Sequence, residues 1–177
     1  MTHFQVPARD EVSAENQEIF DNLKKNLGMV PNLYAVMASS ETALKNYLAF
    51  QNAKTSLSNK EKQAVNLIVS QVNDCHYCQS AHTLLGTLAG FTEEQTIEIR
   101  KGNVSFDHQL NTLVTLAKEI TLKRGFASDE TVDAFINAGY TKAHVVELVL
   151  LIAEKTAMNY LHAVTKVEID FPPAKVI

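Results

Sequence analysis

The chain reads as all-α, a helical bundle without strands, on three observations. Its apolar residues recur at spacings of three and four rather than two. Two Ser/Thr-x-x-Glu/Gln capping boxes, Ser58 to Glu61 and Thr92 to Gln95, mark helix starts. Glycines stand where helices should stop, at 28, 90, 102, 125 and 139.

Residues 1–12 read as extended, tied down by Phe4 and Val6. Ser13 caps a helix to residue 27, with Ile19, Phe20, Leu23 and Leu27 as its apolar stripe. A turn through Met29 and Val30 re-enters helix at Pro31 or Asn32, ending near residue 39. Residues 41–54 form an amphipathic helix with Leu44, Tyr47, Leu48 and Phe50 on its apolar side. Ser58 opens the next helix, apolar at Ala64, Val65, Ile68, Val69 and Val72. Asn73 or Asp74 then caps a helix from Cys75 to Ala89. Further helices are expected from Thr92 to about 101, over 107–124, from Ser128 to Asn137, and from Thr141 to about 167. The tail from Asp170, with Pro172 and Pro173, reads as extended. Ala89-Gly90-Phe91-Thr92 recurs as Ala138-Gly139-Tyr140-Thr141, as a helix–turn–helix duplication would leave it.

With 177 residues, 46% hydrophobic and 20% charged, a single domain over 1–177 is expected, large enough for a real core. A net charge of −4 without a basic patch argues against nucleic acid. The longest apolar block, 145–153, is interrupted by Glu147 and too short to span a bilayer. No secretory leader pattern opens the chain, so a cytoplasmic protein is expected. In a reducing compartment a close cysteine pair is more often redox-active or metal-binding than a permanent staple.

The chemistry concentrates in Asn73-Asp74-Cys75-His76-Tyr77-Cys78-Gln79-Ser80-Ala81-His82, which holds both cysteines of the chain. On a helix, Cys75, Cys78 and His82 share a stripe about 60° wide. A helix N-terminus favours the thiolate, and an imidazole one turn on can accept its proton. A thiolate that attacks a peroxide becomes a sulfenic acid, which a neighbouring thiol converts to a disulfide. Haem attachment would need His at position 79, where Gln stands. Zinc would need a fourth ligand, and two buried cysteines beside a core histidine is the plain structural alternative.

Cys-x-x-Cys-x-x-x-His, followed by Gly-Phe-Thr, resembles the AhpD-like alkylhydroperoxidase branch of the carboxymuconolactone decarboxylase family. The segments at 28–32 and Asp170-Phe171-Pro172 resemble its peroxidase-related subgroup. The resemblance implies an all-helical protomer in a homo-oligomer, trimer or hexamer. It implies a thiol-dependent hydroperoxide reductase with no cofactor beyond a redox-active Cys75–Cys78 disulfide and no metal. An external lipoyl- or thioredoxin-type dithiol would regenerate it. Cys78 would attack the hydroperoxide, paired with His82, and Cys75 would resolve. The family places a glutamate twelve residues before the first cysteine as the end of a proton relay; this chain has Gln63, which can hydrogen-bond a histidine but cannot take a proton. Glu147 is the odd acid that could substitute, although a solvent-edge or subunit-contact role suits it better. His76 either tunes the thiols or faces solvent; His144 and His162 are expected to pack or meet a partner, and His3 and His108 to lie on the surface. The rival readings are a disulfide-exchange or redox-sensing module with weak peroxidase activity, and a lactone decarboxylase of the same superfamily, whose chemistry needs no dithiol.

Overall fold

The computed structural model describes residues 4–177, so His3 lies outside the described residues. Among them are nine α-helices, one 3-10 turn at Arg9–Glu11, and no strand. The all-α expectation is met. The chain divides into two compact units, one of residues 1–54 with 161–170, the other of 55–160 with 171–177.

The first unit holds α1 (Ala14–Leu27), α2 (Asn32–Met37) and α3 (Ala43–Gln51). Ser13 caps α1 as expected, accepting from the Asn16 N–H, and Gly28 ends it in the left-handed conformation. Val12, Phe20, Ala35, Ala38 and Leu44 form the core. Buried Asn16 ties α1 to the α2–α3 turn by donating to the Ala38 and Ser40 carbonyls. The backbone N–H of Asn32 donates to the Asp170 carboxylate at 2.7 Å, which fixes the chain after the last helix. Phe4 and Val6 are each 40% exposed, so they do not anchor the N-terminal segment. α3 is shorter than its apolar pattern suggested because residues 52–58 leave the helix before Ser58 starts the next one.

The second unit is built around α4 (Asn59–Val72), whose residues 64–70 are all buried. α4 packs on α5 (His76–Leu88), α6 (Glu93–Lys101) and α7 (His108–Leu122). With α8 (Asp129–Asn137) and the part of α9 (Lys142–Thr165) before residue 161, they enclose Leu67, Ile68, Leu113, Leu116, Phe135 and Leu148, each fully buried. Burial of each such side chain contributes about 1.5–3 kcal/mol. Both capping boxes form, at Ser58 and Thr92. The repeated Ala-Gly-aromatic-Thr segments adopt the same turn. Ala89 and Ala138 close helices, Gly90 and Gly139 take φ of +99° and +107°, and Phe91 and Tyr140 turn into the core. Phe135 stacks on Tyr140 at 4.1 Å.

Buried Arg100 of α6 joins three segments of this unit. Its guanidinium donates to Gln71 Oε1 (2.8 Å), Gln79 Oε1 (3.0 Å) and the Lys175 carbonyl (2.7 Å). The C-terminal tail therefore lies along α5, with Phe171 edge-on to Tyr77 and the Ala174 N–H donating to Ser80.

Candidate active site

A tight turn between α4 and α5 sets the two sulfurs. Asn73 closes α4, Asp74 takes φ +53°, and the Cys75 N–H returns to the Ser70 carbonyl at 2.9 Å. Asp is among the few residues besides glycine that tolerate that left-handed conformation. Neither Asn73 nor Asp74 caps α5, contrary to the sequence expectation. Cys75 is itself the N-cap, outside the helix, and its sulfur accepts the Cys78 N–H at 3.3 Å. With Asp74 committed to the turn, the first side chain able to meet the helix N–H groups is the thiol. The thiols share the N-terminal end of α5 as expected, but through this cap rather than through one helical face.

The Cys75 and Cys78 sulfurs are 2.7 Å apart, with the Cys75 thiol donating to Cys78, and both residues are 3% exposed. That bond pushes the Cys75 thiol well up from its ordinary value, reinforced by burial. The same bond draws the Cys78 thiol down; burial opposes it, and the Lys155 ammonium and Asn159 assist. Cys78 is thus the sulfur disposed to carry the negative charge. Cys75 holds the proton.

His82 lies one turn beyond Cys78 on α5 and is 6% exposed. Its Nδ1 is 2.8 Å from Gln63 Oε1. A carbonyl oxygen only accepts, so Nδ1 carries the proton and Nε2 keeps its lone pair. Gln63 is oriented in turn by Asn59, whose side-chain oxygen accepts from Gln63 Nε2 at 3.4 Å. Burial, with help from Lys155, holds His82 well below the ordinary histidine value, so it is neutral at pH 7. The structure brings Gln63 onto His82, as the sequence reading paired them.

Glu147 lies elsewhere. One of its oxygens accepts from the Thr55 hydroxyl (2.8 Å), the Ser56 N–H (2.9 Å) and the Ser56 hydroxyl, so it fastens the segment before α4. It is not the buried acid of the site. The buried acid is Glu154, 4% exposed, beside Lys155, 3% exposed, with 3.8 Å between their charged atoms. Sequence reasoning missed both, because adjacent opposite charges after an apolar run look like a solvated helix edge. Also missed was Asn159, which accepts from Asn73 at 2.9 Å and donates to the Ser70 hydroxyl at 3.3 Å, holding α9 against the thiol turn. The 155–159 spacing of one helical turn was the available signal. His76 is exposed and stands 3.6 Å from Asp74. His144 accepts the Thr141 N–H, a cap for α9. Among the described residues no group of three His, Cys, Asp or Glu side chains is disposed to hold a metal ion.

An all-helical unit thus carries a buried Cys-x-x-Cys at a helix start and a histidine one turn on. Residues 40–107 match the model of the carboxymuconolactone decarboxylase family. That segment, similar to the family over about two fifths of the chain, contains both cysteines, Gln63 and His82. No curated protein matches the chain in sequence. Among solved structures, a peroxidase-related protein from Silicibacter sp. TM1040 superposes with a TM-score of 0.85 at 19% identity, over 94% of this chain and 91% of its own. A peroxidase-related protein with an alkylhydroperoxidase AhpD core, from Ralstonia eutropha JMP134, gives 0.87 at 13% identity, over 96% and 92%. The debrominase Bmp8, as a cysteine-to-alanine variant in complex with 2,3,4-tribromopyrrole, gives 0.80 at 16%, over 96% and 94%. At these identities the likeness is one of fold.

Proposed function

We propose that the chain is a thiol-dependent hydroperoxide reductase. The observation that carries this reading is the buried thiol pair, 2.7 Å apart, in which Cys75 donates to Cys78 beside a neutral His82. The Cys78 proton passes to His82 Nε2, and the thiolate attacks the terminal oxygen of a hydroperoxide ROOH. The S–O bond forms, the O–O bond breaks, and the departing RO⁻ takes a proton from the imidazolium to leave as ROH. Cys75 then displaces water from the Cys78 sulfenic acid, which needs the sulfurs to close to about 2.05 Å. A lipoyl- or thioredoxin-type dithiol reduces the disulfide by exchange. Gln63 does not move a proton here; it holds the tautomer that leaves Nε2 free.

Such a protein works as a cytoplasmic homo-oligomer in this reading. Val146, Val149, Leu150 and Tyr160 form an apolar stripe on α9, between 45% and 62% exposed, of the kind a second copy covers. A charge there, as in Leu150→Glu, is expected to shift the protein to smaller species in sedimentation. An unchanged distribution would remove the stripe from any interface.

The test is a thiol count on reduced protein before and after one equivalent of an organic hydroperoxide. Both thiols are expected to vanish in the parent and to survive in Cys78→Ser apart from slow background oxidation. Reduction by dihydrolipoamide should restore them. Thiols that survive the hydroperoxide but are consumed by oxidised lipoamide would mean disulfide exchange instead. Loss of both thiols with halide release from a brominated pyrrole would favour the chemistry named for the debrominase of like fold.

A further inference from the structure

Asn66 is a buried polar side chain of α4 that the chemistry above leaves unused. It is 7% exposed, and its Oδ1 has no hydrogen-bond partner among the described residues. A buried acceptor left unpaired costs about 1–3 kcal/mol, so its retention calls for a ligand or a function.

Helix register places it. On α4, Gln63, Asn66 and Ser70 stand three and four residues apart, one stripe of the helix. Gln63 meets His82, and the Ser70 carbonyl meets the Cys75 N–H, so this stripe runs antiparallel along α5. Asn66, between them, is level with the α5 turn that carries Cys78. The hydrogen bonds from α4 and the segment before it to α9 fix the third side. Ser56 pairs with Glu147, Ser70 with Asn159 and Asn73 with Asn159, at separations of 91, 89 and 86 residues. Lys155 stands the same 89 residues beyond Asn66, so the buried ammonium is on the same level. Register thus sets an open amide acceptor on α4 at the level of the α5 turn with Cys78 and of Lys155 on α9, whose charge acts on Cys78.

We propose that Asn66 is the hydroperoxide-binding residue of this site, its Oδ1 accepting the terminal O–H of ROOH so that the oxygen to be attacked faces Cys78. This rests on the reading of the chain as a hydroperoxide reductase and adds the subsite that selects an O–H-bearing peroxide. The accepted proton stays on the attacked oxygen and becomes the proton of the Cys78 sulfenic acid. The departing oxygen leaves on the side of His82 and Lys155, where it is protonated. Asn66 takes no part in the thiol–disulfide step itself.

The experiment compares two oxidants of the same reduced protein by stopped-flow thiol loss: cumene hydroperoxide, which presents an O–H, and diamide, which does not. Asn66→Leu and Asn66→Ala are run beside the parent, with melting temperatures. In Asn66→Leu the hydroperoxide rate constant is expected to fall about tenfold, the worth of one neutral hydrogen bond. The diamide rate should stay within about twofold. The melting temperature should hold or rise, since an apolar isostere removes an unpaired buried acceptor. Asn66→Ala keeps the same rate pattern with a lower melting temperature. Equal falls with both oxidants, or an unchanged hydroperoxide rate, would overturn the assignment and leave Asn66 a packing residue. A parent that closes its disulfide with diamide but ignores the hydroperoxide would overturn the reductase reading and this subsite with it, an outcome seen before any variant is compared.

Discussion

Replacing Gln63 by Glu sets a carboxylate against His82 and bears directly on its protonation. The new oxygen would stand where Gln63 Oε1 now lies, 2.8 Å from His82 Nδ1. Taking the two charge centres as about 4 Å apart and an effective dielectric near 20, the pair is worth about 4 kcal/mol. That corresponds to roughly three pKa units at about 1.4 kcal/mol each. Gln63 is only partly buried, so solvent screens part of this, and the carboxylate's own desolvation opposes the rest. A rise of about one to two units in the His82 pKa is the net expectation. The assay is the His82 C2–H chemical shift followed across pH, with the pH dependence of thiol loss to an organic hydroperoxide beside it. In the variant, imidazolium beside the Cys78 thiolate should extend reactivity to lower pH. A His82 that titrates within about 0.3 unit of the parent value would refute the inference that the residue at 63 sets the state of His82.

Two further outcomes follow from the second unit. Arg100→Met removes three hydrogen bonds and leaves Gln71, Gln79 and the Lys175 carbonyl without their donor. Equilibrium urea unfolding should show a loss of about 2–4 kcal/mol, and a loss below about 0.5 kcal/mol would show that the clamp is replaced by water. Stability should also fall on acidification below about pH 6.5, where the unfolded chain protonates His82 while the folded chain, which depresses that pKa, does not. The slope from this residue approaches about 1.4 kcal/mol per pH unit. His82→Gln should flatten the curve by that amount, and an unchanged slope would show that His82 protonates freely in the fold.

The helices were legible because their signals are local. Ser58, Thr92 and Ser128 each offer an oxygen to N–H groups a few residues away, and all three cap as the sequence suggested. The Cys75–Cys78 spacing likewise brought the two sulfurs together and set His82 one turn on, since one turn of helix determines what neighbours what. The cap of α5 was misread because three residues in a row, Asn73, Asp74 and Cys75, can serve. The choice fell to a left-handed Asp74 and a return bond to Ser70, which depend on how α4 meets α5. Glu147 and Glu154 show the same limit more sharply. Both are carboxylates in the last helix, and only packing decided that the first ties down Ser56 at the edge while the second is buried with Lys155 near the thiols. A sequence determines where a chain turns helical and which groups share a turn. Which faces of distant helices meet, and so which charges lose their water, is decided by burial, whose energy depends on the whole packed unit.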